Sequence, residues 1–153
     1  MSEAAPFRAE AFPLAFAILA HEEFSTLEAL VQRLSEEPAD SVVVHLDGKV
    51  AASQFRRLVT RFADRSNVAI MHGRRCHWGG ISLVEATLDA LRHLDELGRP
   101  YRHVSFLSGI DFPIRPVSEL RAHLATDAHG EYIEAHNFYT ERWIQRGLYA
   151  ERF

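Results

Sequence analysis

A histidine and an aspartate end the second predicted strand, in the segment His45-Leu46-Asp47. Residues two apart on a strand point to the same face of a sheet, so His45 and Asp47 can reach one ligand. An imidazole and a carboxylate in this position suit contacts to a nucleotide base or a ribose. The alternative is that Asp47 and Gly48 only make the turn that leaves the strand, and the residues by themselves favour this turn.

A second carboxylate, Asp111, lies in a loop that runs from Ser108 to Pro116 and contains two prolines. The β-forming residues before Ser108 predict a strand that ends there. Gly109 permits a backbone turn, and the prolines stiffen the loop by fixing φ. A carboxylate on a rigid loop at the carboxyl end of a strand is where open α/β sheets place ligand contacts. Asp111 is equally suited to cap the turn through its side chain.

Two further groups of residues carry weaker signals. Trp78-Gly79-Gly80 leads into a predicted helix, whose first N–H groups favour anions, although neither glycine-rich phosphate signature is present. A flexible hinge is the alternative there. Glu134, Arg142 and Trp143 offer a carboxylate, a guanidinium fork and a flat apolar face, which together suit a sugar. The alternative for these three is a solvated helix turn with the tryptophan packed inward.

The nine histidines do not form a recognisable metal motif. No tight H-x-x-x-H pair with a carboxylate partner occurs. The sequence also lacks Asp-x-Asp, the usual clamp for Mg²⁺ or Mn²⁺ on a sugar-nucleotide diphosphate. We therefore expect no metal. Cys76 is the only cysteine, which excludes an internal disulfide and favours a reducing compartment. Its basic neighbours alone do not make it a nucleophile.

Alternating strands and helices must position these residues. Helical spacing of leucines predicts four helices, and Ser25–Glu28 and Ser82–Glu85 match capping boxes at the starts of the first and third. The order β-α-β-α-β-α-β-α-β predicts the α/β class, a mainly parallel sheet with helices on both faces. The apolar runs that predict strands are Leu14–Ala20, Ser41–Leu46, Val68–Met71, the segment around Val104–Leu107, and Glu131–Ala135.

Length and composition indicate one globular domain in a chain of 153 residues, 47% of them hydrophobic and 25% charged. The net charge of −4 gives no electrostatic reason to expect nucleic acid as a partner. The apolar run Phe12–Ala20 is too short to span a membrane and lacks the flanks of a signal peptide, so a cytoplasmic location is expected. Residues 1–12 are predicted to be a loose tail.

Several ordered segments resemble the Core-2/I-branching glycosyltransferase family, which includes the branching β-1,6-N-acetylglucosaminyltransferases and the peptide O-xylosyltransferases. The most specific segment is Phe106–Arg115, where the family carries Leu-Ser-x-x-Asp-[Tyr/Phe]-Pro-[Ile/Leu]. Ala17–His21 and Val44–Asp47 resemble the family's first and second strands. Trp78–Val84 resembles the xylosyltransferase branch in particular. The resemblance extends from about Phe16 to Phe153.

The resemblance implies a GT-A-like (Rossmann-like) fold, with residues 13–153 as its donor-binding half. It implies a UDP-sugar as donor and co-substrate, and an inverting single displacement that needs no metal or other cofactor. By position, Asp47 would contact the uridine, with Ala20 and Trp78 nearby.

The resemblance also implies a glycan or another hydroxyl-bearing molecule as acceptor. Glu134 and Arg142 fall where the branching transferases hold the acceptor sugar. The loop residues Ser108, Gly109 and Asp111 would shape the site, and Asp111 is assigned no catalytic role.

The chain departs from the family in one respect that matters for catalysis. The family's general base is a glutamate in the second half of the domain, and the basic residues that neutralise the leaving diphosphate lie there as well. This chain ends before both, so we expect a domain cut at its C-terminal end, with the catalytic base unassigned. Animal members are anchored in the Golgi membrane and carry several cysteines, features that this sequence lacks.

Three hypotheses follow from this departure. The first is a glycosyltransferase seen through its donor-binding half. The second is a non-catalytic remnant that binds a nucleotide or a glycan. The third is a structural subunit whose unfinished sheet is completed by a homodimer partner or by a missing C-terminal half.

Overall fold

A computed structural model of the chain describes residues 13–126 and Tyr132. The predicted tail, residues 1–12, lies outside the described residues, as does the predicted fifth strand at Glu131–Ala135 apart from Tyr132. The described elements alternate along the chain in the order β1 (Leu14–Ala20), α1 (Phe24–Leu34), β2 (Ser41–Leu46), α2 (Ala52–Arg61), β3 (Val68–His72), α3 (Ile81–Glu96), β4 (His103–Ser108) and α4 (Val117–Thr126).

The four strands form one parallel sheet in the order β3-β2-β1-β4. The central strand β1 pairs with both neighbours, so that Ala17 lies beside Val43 of β2 and beside Phe106 of β4. Successive strands are joined by helices, as parallel pairing requires. The predicted α/β class, a mainly parallel sheet with helices on both faces, is therefore confirmed.

Two apolar clusters fill the space between the sheet and its helices. The first joins one face of the sheet to α1, α2 and α4, and includes Phe16, Leu30 and Leu58. The second joins the opposite face to α3, through Ala17 and Leu94. Because both faces are covered, β1 and β2 are buried along almost their whole length and show no apolar–polar alternation.

The predicted helices are present, but both predicted capping boxes are wrong. Helix α1 begins at Phe24, one residue before Ser25, and its N-terminal cap is Glu23 in the left-handed conformation at φ 50°. Helix α3 begins at Ile81, and Gly80 occupies its cap position. The hydroxyl of Ser82 instead accepts a hydrogen bond from the backbone N–H of His77, at 2.9 Å. The serines therefore lie inside their helices and do not cap them.

The strand order creates a switch point between β1 and β4. The chain leaves β1 through α1 towards β2 on one side, whereas α3 returns it to β4 on the other side. Connections that diverge in this way leave a crevice at the carboxyl ends of the strands, where open α/β sheets bind ligands. None of the described helices is long and apolar enough to cross a lipid bilayer.

Candidate functional site

A crevice of about 350 Å³ lies at this switch point. Three residues predicted for the site line it: Ala20 at the end of β1, Asp47 directly after β2 and Ser108 at the end of β4. Helix α3 forms one wall. The full lining consists of Leu19, Ala20, His21, His45, Asp47, Cys76, Leu83, Thr87, Phe106, Leu107 and Ser108.

Asp47 is held in the crevice by backbone donors from two segments. Its Oδ1 accepts a hydrogen bond from the N–H of Lys49 at 2.7 Å, and its Oδ2 accepts one from the N–H of Cys76 at 3.1 Å. The Lys49 ammonium lies 3.5 Å from Oδ2 and donates to the Cys76 carbonyl at 2.6 Å. The predicted turn at Asp47 and Gly48 is therefore present, and the carboxylate also binds the neighbouring loop.

These contacts keep Asp47 ionised. Burial raises the pKa of its carboxyl, but the N–H groups of Lys49 and Cys76 and the charge of Lys49 outweigh it, so the pKa is lower than the usual 3.8. An ionised carboxylate is an acceptor only, with about four lone-pair positions. Backbone N–H groups occupy two of them, which leaves acceptor capacity for a ligand hydroxyl or N–H in the crevice.

The loop at residues 73–77 closes one side of the crevice and packs directly on His45. A Cβ on Gly73 would lie 1.9 Å from Nε2 of His45, so only glycine fits there. The backbone N–H of Arg74 donates to the same Nε2 at 3.3 Å. Because a backbone N–H can only donate, Nε2 carries no proton and the neutral ring is protonated at Nδ1.

The side chain of Arg74 ties this loop to α3. Its Nε donates to Oδ2 of Asp89 at 2.7 Å, and its NH1 donates to Glu85 at 2.8 Å. The hydrogen bond to Asp89 raises the pKa of Arg74. In return, Arg74 holds the pKa of Asp89 below its usual 3.8, against the effect of burial.

The stability of the fold should fall when the pH drops below about 6.5. His45 is 1% exposed, and this burial lowers its pKa from the usual 6.5. The guanidinium of Arg74 acts in the same direction, whereas the carboxylates of Asp89 and Asp47 oppose it. Between pH 6.5 and the lower folded-state pKa, the unfolded chain binds a proton that the folded chain excludes. The stability gained from keeping His45 neutral is therefore fully present above pH 6.5 and is lost as the pH falls below it.

Urea unfolding between pH 7.5 and 5.5 measures this effect, with His45→Gln as the matched variant. The wild-type free energy of unfolding should decrease over this range more steeply than that of the variant. Asp47 and Asp89 have carboxyl pKa values below 3.8, so their protonation changes stability only at lower pH and does not affect this range. Equal slopes for the two proteins would contradict the assignment to His45.

The loop after β4 divides the predicted site-shaping residues between two cavities. Ser108 lines the crevice, but Asp111 lines a separate apolar groove of about 500 Å³ between β4, α1 and α4. Asp111 caps the turn, since its Oδ2 accepts the N–H of Ser108 at 2.7 Å. Of the two roles that suited Asp111, the turn cap is present, and the residue does not line the crevice.

The predicted turn at Gly109 is present, since the N–H of Asp111 donates to the carbonyl of Ser108 at 3.1 Å. The described glycines with positive φ are Gly79 and Gly98, so the conformation of Gly109 in this turn does not itself require glycine. A Cβ on Gly109 would instead lie 2.6 Å from the Cβ of Ala20. The glycine thus lets the loop after β4 approach the end of β1, directly beside the crevice.

Of the remaining predicted site residues, the structure describes only Trp78. Trp78 lies two residues after Cys76 but does not line the crevice, and its side chain is 82% exposed. Glu134 and Arg142 lie outside the described residues. Burial and the charge of Asp47 raise the pKa of the Cys76 thiol, which agrees with its rejection as a nucleophile.

Sequence reasoning missed Arg74 and Lys49. Arg74 stands 11 residues before Glu85 and 15 before Asp89, spacings that match no local motif. Lys49 had one available signal, because it is the chain's only lysine among 17 basic residues and follows the carboxylate by two positions. Within the part of the chain that the structure describes, no three His, Cys, Asp or Glu side chains converge as a metal site.

Comparison with known proteins identifies the family of this chain. The model of the Core-2/I-Branching enzyme family matches residues 14–152. The chain is 30% identical over 115 residues to the N-acetyllactosaminide beta-1,6-N-acetylglucosaminyl-transferase of Homo sapiens, and 27% identical over 115 residues to the protein of that name from Mus musculus. Each match covers 74% of this chain and 28% of the relative, so the chain spans between a quarter and a third of these relatives. Because the family match includes every described strand and helix, the chain belongs to the Core-2/I-branching enzyme family.

Proposed function

We propose that this chain is the donor-binding part of a glycosyltransferase that moves a sugar from a UDP-sugar to an acceptor hydroxyl. The observation that carries the proposal is the ionised, loop-bound carboxylate of Asp47 in a crevice at the switch point of a sheet that belongs to this family. The names of the relatives make N-acetylglucosamine the first donor sugar to test and N-acetyllactosaminide the first acceptor. Xylose is the second donor sugar, on the resemblance of Trp78–Val84.

Asp47 is proposed to bind the uridine by accepting hydrogen bonds. Its free lone pairs suit the hydroxyls of a ribose or the imide N–H of a uracil, because both groups donate hydrogen bonds. Ala20 and Ser108 border the same crevice, and Gly109 lets the loop after β4 approach Ala20 closely. Trp78 is the proposed rim of the site, with its exposed indole able to lie against a sugar or a base.

The proposed reaction is an inverting displacement in a GT-A-like domain without a metal. The acceptor oxygen forms a bond to the anomeric carbon, the bond from that carbon to the β-phosphate oxygen breaks, and UDP leaves with the electron pair. A general base must take the hydroxyl proton, and the proposal places this base outside the chain. Glu134 and Arg142 are proposed to hold the acceptor sugar.

A binding module without turnover is the second candidate. Asp47 is the one carboxylate among the described residues that line the crevice, and its hydrogen bonds leave it poorly placed to act as a base. Without a positioned general base the rate would fall by about 10²–10⁴. Release of UDP from UDP-N-acetylglucosamine in the presence of N-acetyllactosamine separates the two candidates.

Ligand-dependent thermal melting tests the donor site. In buffer free of divalent metal, UDP at about 100 times its Kd should stabilise the fold by about 2.7 kcal/mol. UDP-N-acetylglucosamine or UDP-xylose should do the same. Asp47→Asn should remove the shift, because the amide replaces an acceptor oxygen with a donor. Asp64→Asn, an exposed carboxylate after α2, is the matched control and should keep the shift.

The proposal fails if the wild-type chain melts cooperatively and none of the three ligands moves the transition. Asp47→Ala is the poorer variant for this purpose. It would remove the acceptor for two backbone N–H groups and weaken the fold itself.

A further inference from the structure

Arg74 is connected to the Asp47 turn through both of its main-chain polar groups. Its N–H donates to the buried His45 at 3.3 Å, and its carbonyl accepts the N–H of Gly48 at 2.9 Å. Gly48 follows Asp47 directly, and His45 precedes it by two residues. The main chain of Arg74 is therefore bound on both sides of Asp47.

The side chain of Arg74 is anchored on a different element. The guanidinium forms ion pairs with Asp89 and Glu85, at 2.7 and 2.8 Å, one turn apart on α3. Asp89 is only 20% exposed, so this anchor is partly shielded from solvent. A fork that engages two carboxylates has one preferred orientation, unlike a single exposed ion pair.

The position of the Asp47 carboxylate depends on the loop that Arg74 anchors. Cys76, two residues after Arg74, gives its N–H to Oδ2 of Asp47 and accepts the Lys49 ammonium on its carbonyl. If the loop moved away from α3, Asp47 would lose the first contact, and Lys49 would lose its anchor beside the carboxylate. The ion pairs on α3 thus fix the loop at residues 73–77, and the loop in turn fixes Asp47 in the crevice.

We propose that Arg74 is the positioning residue of this site, which holds Asp47 in its binding geometry by clamping the loop at residues 73–77 to α3. Arg74 does not line the crevice, so it acts through Cys76 and Gly48. The proposal rests on the proposed function for the identity of the ligand, a uridine nucleotide. The clamp itself is a property of the free protein and is measurable without any ligand.

The experiment compares Arg74→Gln with Arg92→Gln in the full chain. Arg92 is the matched control because it also binds Asp89, at 3.0 Å, but its side chain is exposed and this ion pair lies within α3 itself. Calorimetric titration with UDP measures binding. Amide hydrogen exchange at Cys76 measures the bond to Asp47, and exchange at Leu14, which donates to Asp40 at the opposite end of the sheet, measures global stability.

Arg74→Gln should weaken UDP binding about tenfold, which corresponds to about 1.4 kcal/mol. It should speed exchange at Cys76 relative to Leu14, whereas Arg92→Gln should change neither quantity. Arg74→Lys should restore part of the affinity, since it keeps the charge but loses the fork. A residue that only stabilised the fold would speed exchange at Cys76 and Leu14 equally, and that result would overturn the proposal.

Unchanged exchange at Cys76 in Arg74→Gln would also overturn the proposal, whatever the change in UDP affinity. If the wild-type chain does not bind UDP, the proposed function fails and the exchange ratio alone decides the clamp. If Arg74→Gln does not fold, Asp89→Asn is judged by the same ratio. That variant weakens the anchor and leaves the loop sequence intact.

Discussion

Replacing Asp40 with alanine is expected to lower the free energy of unfolding by about 3–5 kcal/mol. Asp40 is fully buried directly before β2, and two other elements, β1 and α4, bind its carboxylate. Its Oδ1 accepts the N–H of Leu14, the first residue of β1, at 2.9 Å. Both of its oxygens accept hydrogen bonds from the guanidinium of Arg121 on α4, at 3.0 and 2.6 Å.

The large expected loss follows from what the substitution leaves behind. Removal of one partner of a buried ion pair exposes the other to an environment that cannot solvate it, and Arg121 is itself only 11% exposed. The N–H of Leu14 would also lose its acceptor at the edge of the core, which adds a desolvation cost. For a chain of this size, the melting temperature should fall by on the order of 10 °C.

Arg115→Gln provides the control on the same part of the chain. Arg115 pairs with Glu119 of α4 at 3.4 Å, but both side chains are largely exposed, so the loss should stay within about 1 kcal/mol. Urea unfolding of the two variants and the wild type measures the difference. Equal losses for Asp40→Ala and Arg115→Gln would refute the view that Asp40 joins β1, β2 and α4.

Replacing Gly73 with alanine is expected to destabilise the fold by about 1–3 kcal/mol and to abolish the UDP-induced thermal shift. The three atoms nearest to the new Cβ all belong to the His45 ring, at 1.9 to 2.4 Å. This ring is 1% exposed, and its Nε2 accepts the N–H of Arg74, so the clash falls on an atom that the loop itself binds. The loop at residues 73–77 must therefore move, and Asp47 would lose its contact with Cys76.

A double variant identifies the clash as the cause. In Gly73→Ala/His45→Ala the new methyl group would occupy space vacated by the imidazole, so the loss in stability should be smaller than the sum of the two single losses. Gly80→Ala is the control, since its nearest contact is 3.2 Å and its φ is −92°. Strictly additive losses would contradict a steric origin.

The chain's own residues determined the order of the elements. β1 and β2 have the predicted bounds, Leu14–Ala20 and Ser41–Leu46, because their unbroken apolar runs match strands that are buried on both faces. The leucine spacing predicted α3, and Gly98, at φ 62°, follows its end as expected. The family resemblance likewise rested on short contiguous segments and is confirmed over residues 14–152.

Local patterns were misleading wherever a distant group competed for the same side chain. Ser82 and Glu85 match a capping box, but the serine hydroxyl binds His77 and the glutamate binds Arg74. From the residues alone, a ligand contact and a turn cap were equally suited to Asp111, whereas the turn was favoured for Asp47. Strand order placed Asp47 in the crevice and left Asp111 beside the apolar groove.

The sequence by itself therefore determined the elements, the family and the position of Asp47 at the end of a buried strand, because these depend on neighbours a few residues apart. Only the tertiary structure decided how Asp47 is held. Its partner Cys76 is 29 residues away, and Arg74 is 15 residues from Asp89, the residue that anchors it to α3. Contacts over such separations are set by the packing of α3 on the sheet, and no local spacing encodes them.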